Sequence, residues 1–420
     1  MFALVDCNNF YVSCERVFDY SLHNRPVAVL SNNDGCVISR SNELKALGVK
    51  MGTPFFKLKP FLQRYNIAVR SSNYDLYGDM SRRVMCILEE FTPDIELYSI
   101  DEAFLLFSHS EKVDYLKLAY KIRARVMKCT GLPVGVGFAL TRTLAKTANH
   151  IAKDTGAGAY VMPSKNGEIL KKLPVKEIWG VGRRFAKRMG QIGIHTAEDL
   201  SRQPENYLRK RFNVCVARTA LELSGVSALE SEDIQEPSKS ISCSRSFSHP
   251  VTKFEHLAEA VAKYTAQAAV KVRKEKQKAT GMSVYFQYYP DKGGSSYHGS
   301  STASSIVFDK PVSATSEILT QVKKILPELF IKGKRYKKAG ILFFGLEQNH
   351  NEQLDLFDFS NQLKSATNQK LYETVDKLNQ RYGRGKVFHL SEGIDRPWQM
   401  KREHLSPQYT TNWAHLPEVN

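Results

Sequence analysis

The stretch YSIDEAF, residues 98–104, places Asp101 and Glu102 side by side between two apolar runs. Residues 94–100 (DIELYSI) and 103–107 (AFLLF) both have the composition of strands, so the two acids should lie in or beside a tight hairpin turn. Acidic residues are common in turns, and a solvated turn is a sufficient explanation for this pair taken alone.

A third carboxylate follows the first strand. Residues 1–5 (MFALV) have a buried-strand pattern that ends at Asp6, so Asp6 can lie at a strand end of the same sheet. Three carboxylates at one point repel each other unless cations neutralise them, and all-oxygen ligation suits Mg²⁺ rather than zinc. Two such ions, about 3.5 to 4 Å apart, hold an attacking oxygen and a leaving phosphate oxygen in line. Asp6, Asp101 and Glu102 therefore predict phosphoryl or nucleotidyl transfer.

The composition favours a polyanionic partner. The 420-residue chain carries a formal net charge of +17, which fits nucleic acid first and an anionic membrane second. Its length indicates roughly two to four domains. No run of about 18 apolar residues is present, and the start MFALVD lacks a signal peptide's basic region and cleavage site. We expect a soluble, cytoplasmic protein, and the scattered cysteines, with no CxxC pair, indicate reduced thiols.

The turn after the first strand can bind phosphate. Residues 7–11 (CNNFY) lead into a predicted helix over 12–18, and a helix N-terminus presents free backbone N–H groups. Tyr11 lies just inside this phosphate-binding turn. The alternative is that its ring simply packs between the sheet and the helix. Lys45, on a short helix predicted over 42–47, can reach a phosphate or only water.

The N-terminal half predicts an α+β domain. Helices over 80–91 and 113–130 would cover the sheet that carries the acids, in the order of a ferredoxin-like palm. The strand 134–138 (VGVGF) contains a GxG without the remaining signals of dinucleotide binding. In the next predicted helix, Lys146 and Lys153 are seven positions apart and share one face. Lys153 is a candidate phosphate ligand, although compensation of the helix dipole would also place a lysine there.

Residues 174–200 predict a helix, a tight hairpin and a second helix. Gly180 and Gly182 let the backbone approach a DNA phosphate, and Arg183 and Arg184 add positive charge at the same point. Such a contact ignores base sequence. The alternative is a plain corner between two helices.

After a polar linker at 225–239, a βαββαβ unit is predicted. Its strands are expected at 240–246, 281–289, 305–308 and 339–346, and its helices at 256–278 and 314–326. The flanking basic residues suit a duplex backbone, with strong salt dependence, or form a solvated face. They are Arg273, Lys274, Lys276, Lys278, Lys332, Lys334, Arg335, Lys337 and Lys338.

The polar tail that follows contains the short apolar segment QLDLF (353–357). Two interpretations remain open: the segment binds a pocket elsewhere, or it forms a local cluster that packs on its own protein.

These features together resemble the Y-family of translesion DNA polymerases over nearly the whole chain. The motifs that carry the resemblance are MFALVDCNNFY (1–11), LSNNDGCVISR (30–40), LGVKMG (47–52), SSNYDLYGDMS (71–81), YSIDEAF (98–104), GVGFALTRTLAKTANHIAK (135–153), WGVGRR (179–184) and MKREHLSPQYTTNW (400–413). The resemblance implies a right-hand polymerase. Its expected domains are a palm (1–19 and 78–165), fingers (20–77), a thumb with a helix-hairpin-helix (166–232), a little finger (240–347) and a C-terminal tail (348–420).

The resemblance also assigns roles to residues. It implies two Mg²⁺ ions held by Asp6, Asp101 and Glu102, with the Cys7 carbonyl as a backbone ligand. Tyr11 becomes a steric gate whose ring fills the space of a ribose 2′-hydroxyl.

Further residues are implied to bind the incoming dNTP. Lys153 would neutralise the triphosphate, helped by the backbone donors of Asn9 and Phe10. Ser39, Asn42 and Lys45 fall where many family members have a Thr, a Tyr and an Arg on the triphosphate. Asn42 and Lys45 depart from that pattern, so a shorter or water-mediated contact is expected there.

The implied activity is error-prone translesion synthesis on primer-template DNA in the SOS DNA damage response, in the cytoplasm and on the nucleoid when engaged. The implied partners are a UmuD′ dimer, a RecA filament and the sliding clamp. The clamp would be bound through Gln353, Leu354, Leu356 and Phe357. Two rival functions remain open for the same residues, a two-metal nuclease and a non-catalytic DNA-binding accessory subunit.

Overall fold

The computed structural model describes residues 1–229, 237–290, 300–348 and 359–416, with the backbone alone over 359–366. The chain divides into two compact units. The first comprises Met1–Gln235 and Arg402–Asn420, and the second comprises Glu236–Lys401.

The first unit contains two sheets and their helices. Its strands are β1 (Phe2–Cys7), β2 (Val27–Leu30), β3 (Val37–Arg40), β4 (Ala68–Ser71), β5 (Ile95–Leu97), β6 (Glu102–Leu106), β7 (Val134–Ala139) and β8 (Ala159–Val161). Its helices are α1 (Phe10–Phe18), α2 (Asn42–Ala46), α3 (Phe55–Leu58), α4 (Tyr74–Leu88), α5 (Tyr115–Thr130), α6 (Arg142–Asp154), α7 (Gly167–Lys172), α8 (Arg183–Gly190), α9 (Ala197–Ser201), α10 (Glu205–Arg211) and α11 (Val214–Leu223).

The larger sheet has the strand order β5-β6-β1-β7-β8, and its strand pairs are antiparallel except β7 with β8. Its central strand β1 is apolar on both faces because both faces are covered. Ala3 and Val5 join the core formed with α4 and α5, while Leu4 joins the core formed with α6 and the helices that follow it. The predicted α+β palm is confirmed, and the acids lie at one end of this sheet.

The smaller sheet has the order β3-β2-β4. Strands β2 and β3 pair antiparallel as a hairpin, and β4 adds a parallel neighbour to β2. A separate apolar cluster that includes Leu30, Val37 and Leu44 stabilises this region.

The segment around residue 180 differs in part from the prediction. The helix expected from residue 174 is a single 3-10 turn, Val175–Glu177. The reason is that Pro174 and Gly180, the latter in the left-handed region at φ 83°, leave too few residues between them for a longer helix. The second helix α8 is as predicted, and the next helix α9 begins with a capping box formed by Thr196 and Asp199.

The second unit confirms the predicted βαββαβ order. Its elements are β9 (Ser240–Val251), α12 (Phe254–Lys274), β10 (Gln277–Tyr288), β11 (Ser300–Val312), α13 (Thr315–Leu329), β12 (Tyr336–Gln348) and α14 (Phe359–Tyr382). The sheet order is β11-β10-β12-β9, with every pair antiparallel.

Two basic residues of this unit, Lys278 and Arg273, do not contribute to the predicted basic surface. Helix α12 ends four residues earlier than predicted because Lys276 turns the chain with φ 55°, so Lys278 lies buried on β10. Arg273 forms an ion pair with Asp376, with 2.8 Å between Nε and Oδ2, and is not available as a surface cation.

None of the helices in the described ranges is long and apolar enough to cross a membrane. All seven cysteines fall within those ranges, and all are free thiols, as predicted.

Candidate active site

Asp6 and Glu102 face each other across the pair β1 and β6. They are direct partners in the strand register, so their side chains lie side by side. Residues 98–101 form the turn that precedes β6, so both acids lie at the same sheet end. The predicted meeting of Asp6 with the YSIDEAF turn is therefore confirmed by the geometry.

The surroundings of the two acids shift their pKa values in opposite directions. Burial raises the pKa of Asp6 to about 7, and the hydrogen bond to Glu102 adds to this shift. Burial also acts to raise the pKa of Glu102, but hydrogen bonds from Asp6 and Lys146 outweigh it, so this pKa is lowered. The pKa values of the two acids are therefore shifted in opposite directions, although both acids lie at the same sheet end.

Two lysines on one side of α6 neutralise the acids. Lys153 Nζ lies 2.6 Å from Asp6 Oδ1, and Lys146 Nζ lies 2.8 Å from Glu102 Oε2. Lys146 also lies over the Tyr98 ring, 4.1 Å from its centroid, and 5.0 Å from that of Trp179. The prediction that both lysines share a helix face is confirmed.

The GxG of β7 explains why α6 comes so close to the acids. A Cβ atom on Gly137 would lie 2.3 Å from the Asn149 backbone nitrogen, and one on Gly135 would lie 2.7 Å from Asn149 Oδ1. Only glycine lets the helix pack against the strand at this distance. These glycines therefore bring Lys146 and Lys153 to the sheet end, a role unrelated to dinucleotide binding.

Asp101 is joined to the site through its backbone. Its carbonyl accepts a 2.9 Å hydrogen bond from the Cys7 N–H, while its carboxylate Oδ1 accepts one of 2.6 Å from Ser99 Oγ. No group of three or more His, Cys, Asp or Glu side chains in the described ranges is arranged as a metal site. The three-acid ligand set stays a prediction.

The donor chemistry nevertheless fits a hard cation. Asp6 and Glu102 offer only oxygen atoms, which Mg²⁺ prefers. Because the two acids face each other and each is paired with a lysine, added positive charge would relieve their repulsion. A cleft of about 270 Å³ beside them is lined by both acids, both lysines, His150 and Trp179.

The predicted phosphate residues meet at the start of α1. Asn9 precedes the helix in the left-handed region, and its side chain accepts a 2.6 Å hydrogen bond from Lys45 and donates one of 3.0 Å to Asn42. Ser39 Oγ lies 3.4 Å from both the Asn9 carbonyl and the Val12 nitrogen. The structure thus groups these side chains, and their roles stay predictions.

Tyr11 lies one residue inside the same helix, next to the buried Phe10. Its ring stacks on Tyr77, with centroids 4.4 Å apart and planes 15° apart, and meets Tyr74 edge to face at 6.2 Å. Tyr77 was not among the site residues predicted from the sequence. The spacing of Tyr74 and Tyr77, which puts both on one face of α4, is the signal that would have found it.

Gly180, Gly182, Arg183 and Arg184 lie at the start of α8. Gly182 caps the helix, and both arginines are exposed in its first turn. Cations are unfavourable at that positive end of a helix, so an anionic partner would stabilise this arrangement. The predicted clamp-binding residues 353–357 lie outside the described residues.

Comparison with known sequences identifies two regions of one family. Residues 5–150 match the impB/mucB/samB family and residues 238–356 match the impB/mucB/samB family C-terminal domain. Residues 369–419 match a domain of unknown function, DUF4113.

Full-length relatives agree. The chain is 42% identical to Protein UmuC of Salmonella typhimurium, with 100% of both chains covered. It is 37% identical to Protein MucB of Escherichia coli over 99% of both chains, and 28% identical to DNA polymerase IV 1 of Bacillus subtilis over 90% of both.

Solved structures with a similar fold are polymerases. A Y-family DNA polymerase chimera of Dbh and Dpo4 has a TM-score of 0.64 at 21% identity, covering 83% of this chain and 100% of that one. The insertion ternary complex of Dbh DNA polymerase has a TM-score of 0.52 at 22% identity, with the same coverage. The resemblance indicated by the sequence motifs is confirmed: the chain belongs to the impB/mucB/samB family and has the fold of a Y-family DNA polymerase.

Proposed function

We propose that this chain is a template-directed DNA polymerase that extends primers past damaged template positions, with low fidelity, in the SOS DNA damage response. The observation that carries the proposal is the facing pair of Asp6 and Glu102, each bound by a lysine of α6, at the sheet end of a polymerase fold. The full-length similarity to Protein UmuC and to DNA polymerase IV supports it.

We assign the domains accordingly. Residues 1–19 and 78–165 are the palm, 20–77 the fingers, 166–232 the thumb and 240–347 the little finger. Each assignment is supported by a distinct part of the fold. These parts are the five-stranded sheet for the palm, the three-stranded sheet for the fingers, the short helices for the thumb and the βαββαβ unit for the little finger.

Asp6, Asp101, Glu102 and the Cys7 carbonyl would hold two Mg²⁺ ions. When bound, the ions activate the primer 3′-hydroxyl and stabilise the pyrophosphate leaving group. Charge stabilisation and positioning by these side chains would supply most of the rate.

The chain's cations and backbone donors would bind the triphosphate. Lys153 Nζ would exchange the Asp6 carboxylate for a phosphate oxygen, and the N–H groups of Asn9 and Phe10 at the start of α1 would bind others. Lys45 would exchange its hydrogen bond to Asn9 for one to a phosphate oxygen. Tyr11 would occupy the space of a ribose 2′-hydroxyl and so exclude ribonucleotides.

DNA would be bound without regard to sequence. Arg183 and Arg184, together with the N–H groups at the start of α8, suit a backbone phosphate. The basic residues 332–338 of the second unit and the net charge of +17 suit further phosphates.

The finer assignments rest on the resemblance to the UmuC branch. The partners would be a UmuD′ dimer, a RecA filament and, through residues 353–357, the sliding clamp. The protein would act in the cytoplasm and on the nucleoid.

The deciding experiment is primer extension across an abasic site by the full chain with Mg²⁺, UmuD′ and RecA. We expect dNTP-dependent extension past the lesion. Release of nucleotides from DNA in the absence of dNTPs would favour a nuclease instead. Calorimetry that finds no Mg²⁺-dependent dNTP binding would favour a non-catalytic accessory subunit.

A further inference from the structure

Glu15 is a fully buried carboxylate that plays no part in the proposed chemistry. It lies on α1, four residues after Tyr11, with 0% of its surface exposed. Its Oε1 accepts hydrogen bonds from Tyr77 Oη at 2.7 Å and from Ser406 Oγ at 3.1 Å, whereas Oε2 has no partner in the described part of the chain. A buried acid of this kind is costly unless its remaining hydrogen bonds are kept.

Ser406 comes from a segment that packs against the first unit at several points. We define residues 403–409 as the C-terminal strap. Asn73 Nδ2 donates to Ser406 Oγ at 2.9 Å and to the Pro407 carbonyl at 3.3 Å. The Tyr409 ring stacks on Phe18 of α1, with centroids 4.9 Å apart and planes 8° apart.

The start of the strap pairs with the end of β4. The His404 carbonyl accepts a 2.9 Å hydrogen bond from the Ser71 N–H, and the His404 N–H donates to Ser71 Oγ at 3.0 Å. The Glu403 N–H donates to Asp34 Oδ2 at 2.9 Å, while Ser71 Oγ donates to Oδ1 of the same buried acid. The strap is therefore part of the hydrogen-bonded structure of this unit.

Tyr77 connects the strap to Tyr11. Its side chain is fully buried, and its ring is the surface against which the Tyr11 ring stacks. Its hydroxyl is fixed by Glu15, whose carboxylate is fixed in turn by Ser406. Stacked rings have restricted offsets, so a shift of Tyr77 changes where the Tyr11 ring can lie.

We propose that the C-terminal strap, through Ser406, Glu15 and Tyr77, positions the Tyr11 ring and thereby sharpens the choice of deoxyribose over ribose. The inference rests on the proposed gate role of Tyr11. It gives a role to part of the segment that matches a domain of unknown function, residues 369–419. Ser406, Glu15 and Tyr77 act here as positioning residues.

The test measures sugar selectivity in the full chain with Mg²⁺, UmuD′ and RecA. The readout is the ratio of kcat/KM for a dNTP to that for the matching rNTP in single-nucleotide primer extension. This ratio does not depend on the folded fraction, so a merely destabilised variant leaves it unchanged. We expect Ser406→Ala and Tyr77→Phe each to lower the ratio about three- to tenfold, the size of one lost hydrogen bond.

Two matched variants control the test. Glu15→Gln keeps an amide oxygen that accepts both hydroxyl hydrogen bonds, so its ratio should stay close to that of the parent chain. Trp413→Ala removes a tail side chain that is 90% exposed, and it should also leave the ratio unchanged. A loss with Trp413→Ala as large as with Ser406→Ala would overturn the strap's specific role.

The Tyr11→Ala background separates the two proposals. If Tyr11→Ala lowers the ratio, adding Ser406→Ala should lower it no further, because the ring to be positioned is gone. If Tyr11→Ala lowers the ratio but Ser406→Ala and Tyr77→Phe both leave it unchanged, the strap proposal alone is overturned. If Tyr11→Ala itself has no effect, the gate role fails and the strap inference with it.

Discussion

Lys153 Nζ lies 2.6 Å from Asp6 Oδ1. This lysine of α6 is therefore paired with a carboxylate that, in the proposed mechanism, binds a metal ion. The contact joins a helix C-terminus to the end of the central strand. Under the proposed mechanism, Lys153 would exchange this carboxylate for a phosphate oxygen when a nucleotide binds.

The first prediction concerns this lysine. Lys153→Ala should raise KM for dNTP more than it lowers kcat, with kcat/KM falling about 10- to 100-fold, because a charge-assisted contact to the triphosphate is lost. Lys153→Arg should recover part of the loss. Steady-state primer extension measures both constants, and Lys172→Ala, at an exposed lysine on α7, is the control. A KM that stays at the parent value in Lys153→Ala would remove Lys153 from the triphosphate site.

The second prediction concerns pH and metal. The folded pKa of Asp6 is raised from 3.8 to about 7, so between these values the folded state binds more protons than the unfolded state. The contribution of Asp6 to the free energy of unfolding is therefore greatest below pH 4 and falls by up to about 4 kcal/mol as the pH rises to 7. Urea unfolding at several pH values without metal should show this fall, and Asp6→Asn should reduce it.

Magnesium should reverse that loss at neutral pH. Adding Mg²⁺ at pH 7.5 should raise the unfolding midpoint of the parent chain, because a ligand that binds only the folded state stabilises it. Asp6→Asn should respond much less. An equal Mg²⁺ response in both proteins would argue against Asp6 as a ligand.

The third prediction concerns the packing of α6 on β7. Gly137→Ala should lower the free energy of unfolding by about 1 to 3 kcal/mol, because its Cβ would overlap the Asn149 backbone. Gly78→Ala is the matched control: it lies within α4 with open space around it, and should be neutral or slightly stabilising. Chemical unfolding measures both, and two equal losses would contradict the packing argument.

The fourth prediction concerns DNA. The double variant Arg183→Ala/Arg184→Ala should reduce the slope of log K against log salt by about 2, with equal loss for unrelated DNA sequences. Arg82→Ala/Arg83→Ala, which removes two arginines paired with Asp79, is the control. Fluorescence anisotropy titrations over a salt series give the slopes. A loss that depends on base sequence would mean that these arginines do not contact the phosphate backbone.

The sequence predicted the parts of the site that depend on local pattern. The apolar strand run that ends at Asp6 and the position of the YSIDEAF turn predicted that Asp6 lies near Glu102, and helical spacing predicted that Lys146 and Lys153 share one face. It did not predict which partner each lysine takes, since that depends on how closely two glycines let α6 approach β7.

Long-range contacts explain the other differences. Nothing local to residues 403–409 indicates that they hydrogen-bond to β4 and to Glu15, more than 300 positions earlier. Likewise, the ion pair of Arg273 on α12 with Asp376 on α14 joins two segments about 100 positions apart. No local sequence pattern predicts this contact. Both depend on a fold that brings distant segments together.

The central claim is that the YSIDEAF acids drive nucleotidyl transfer, and single-turnover primer extension by Asp101→Ala/Glu102→Ala tests it most directly. The matched control is Glu89→Ala/Glu90→Ala, which removes two adjacent acids that directly follow α4. With Mg²⁺, dNTP, UmuD′ and RecA supplied, we predict that the control extends primers at the parent rate and that the Asp101→Ala/Glu102→Ala protein folds and binds DNA but extends none. Extension at a comparable rate by that protein would contradict the account.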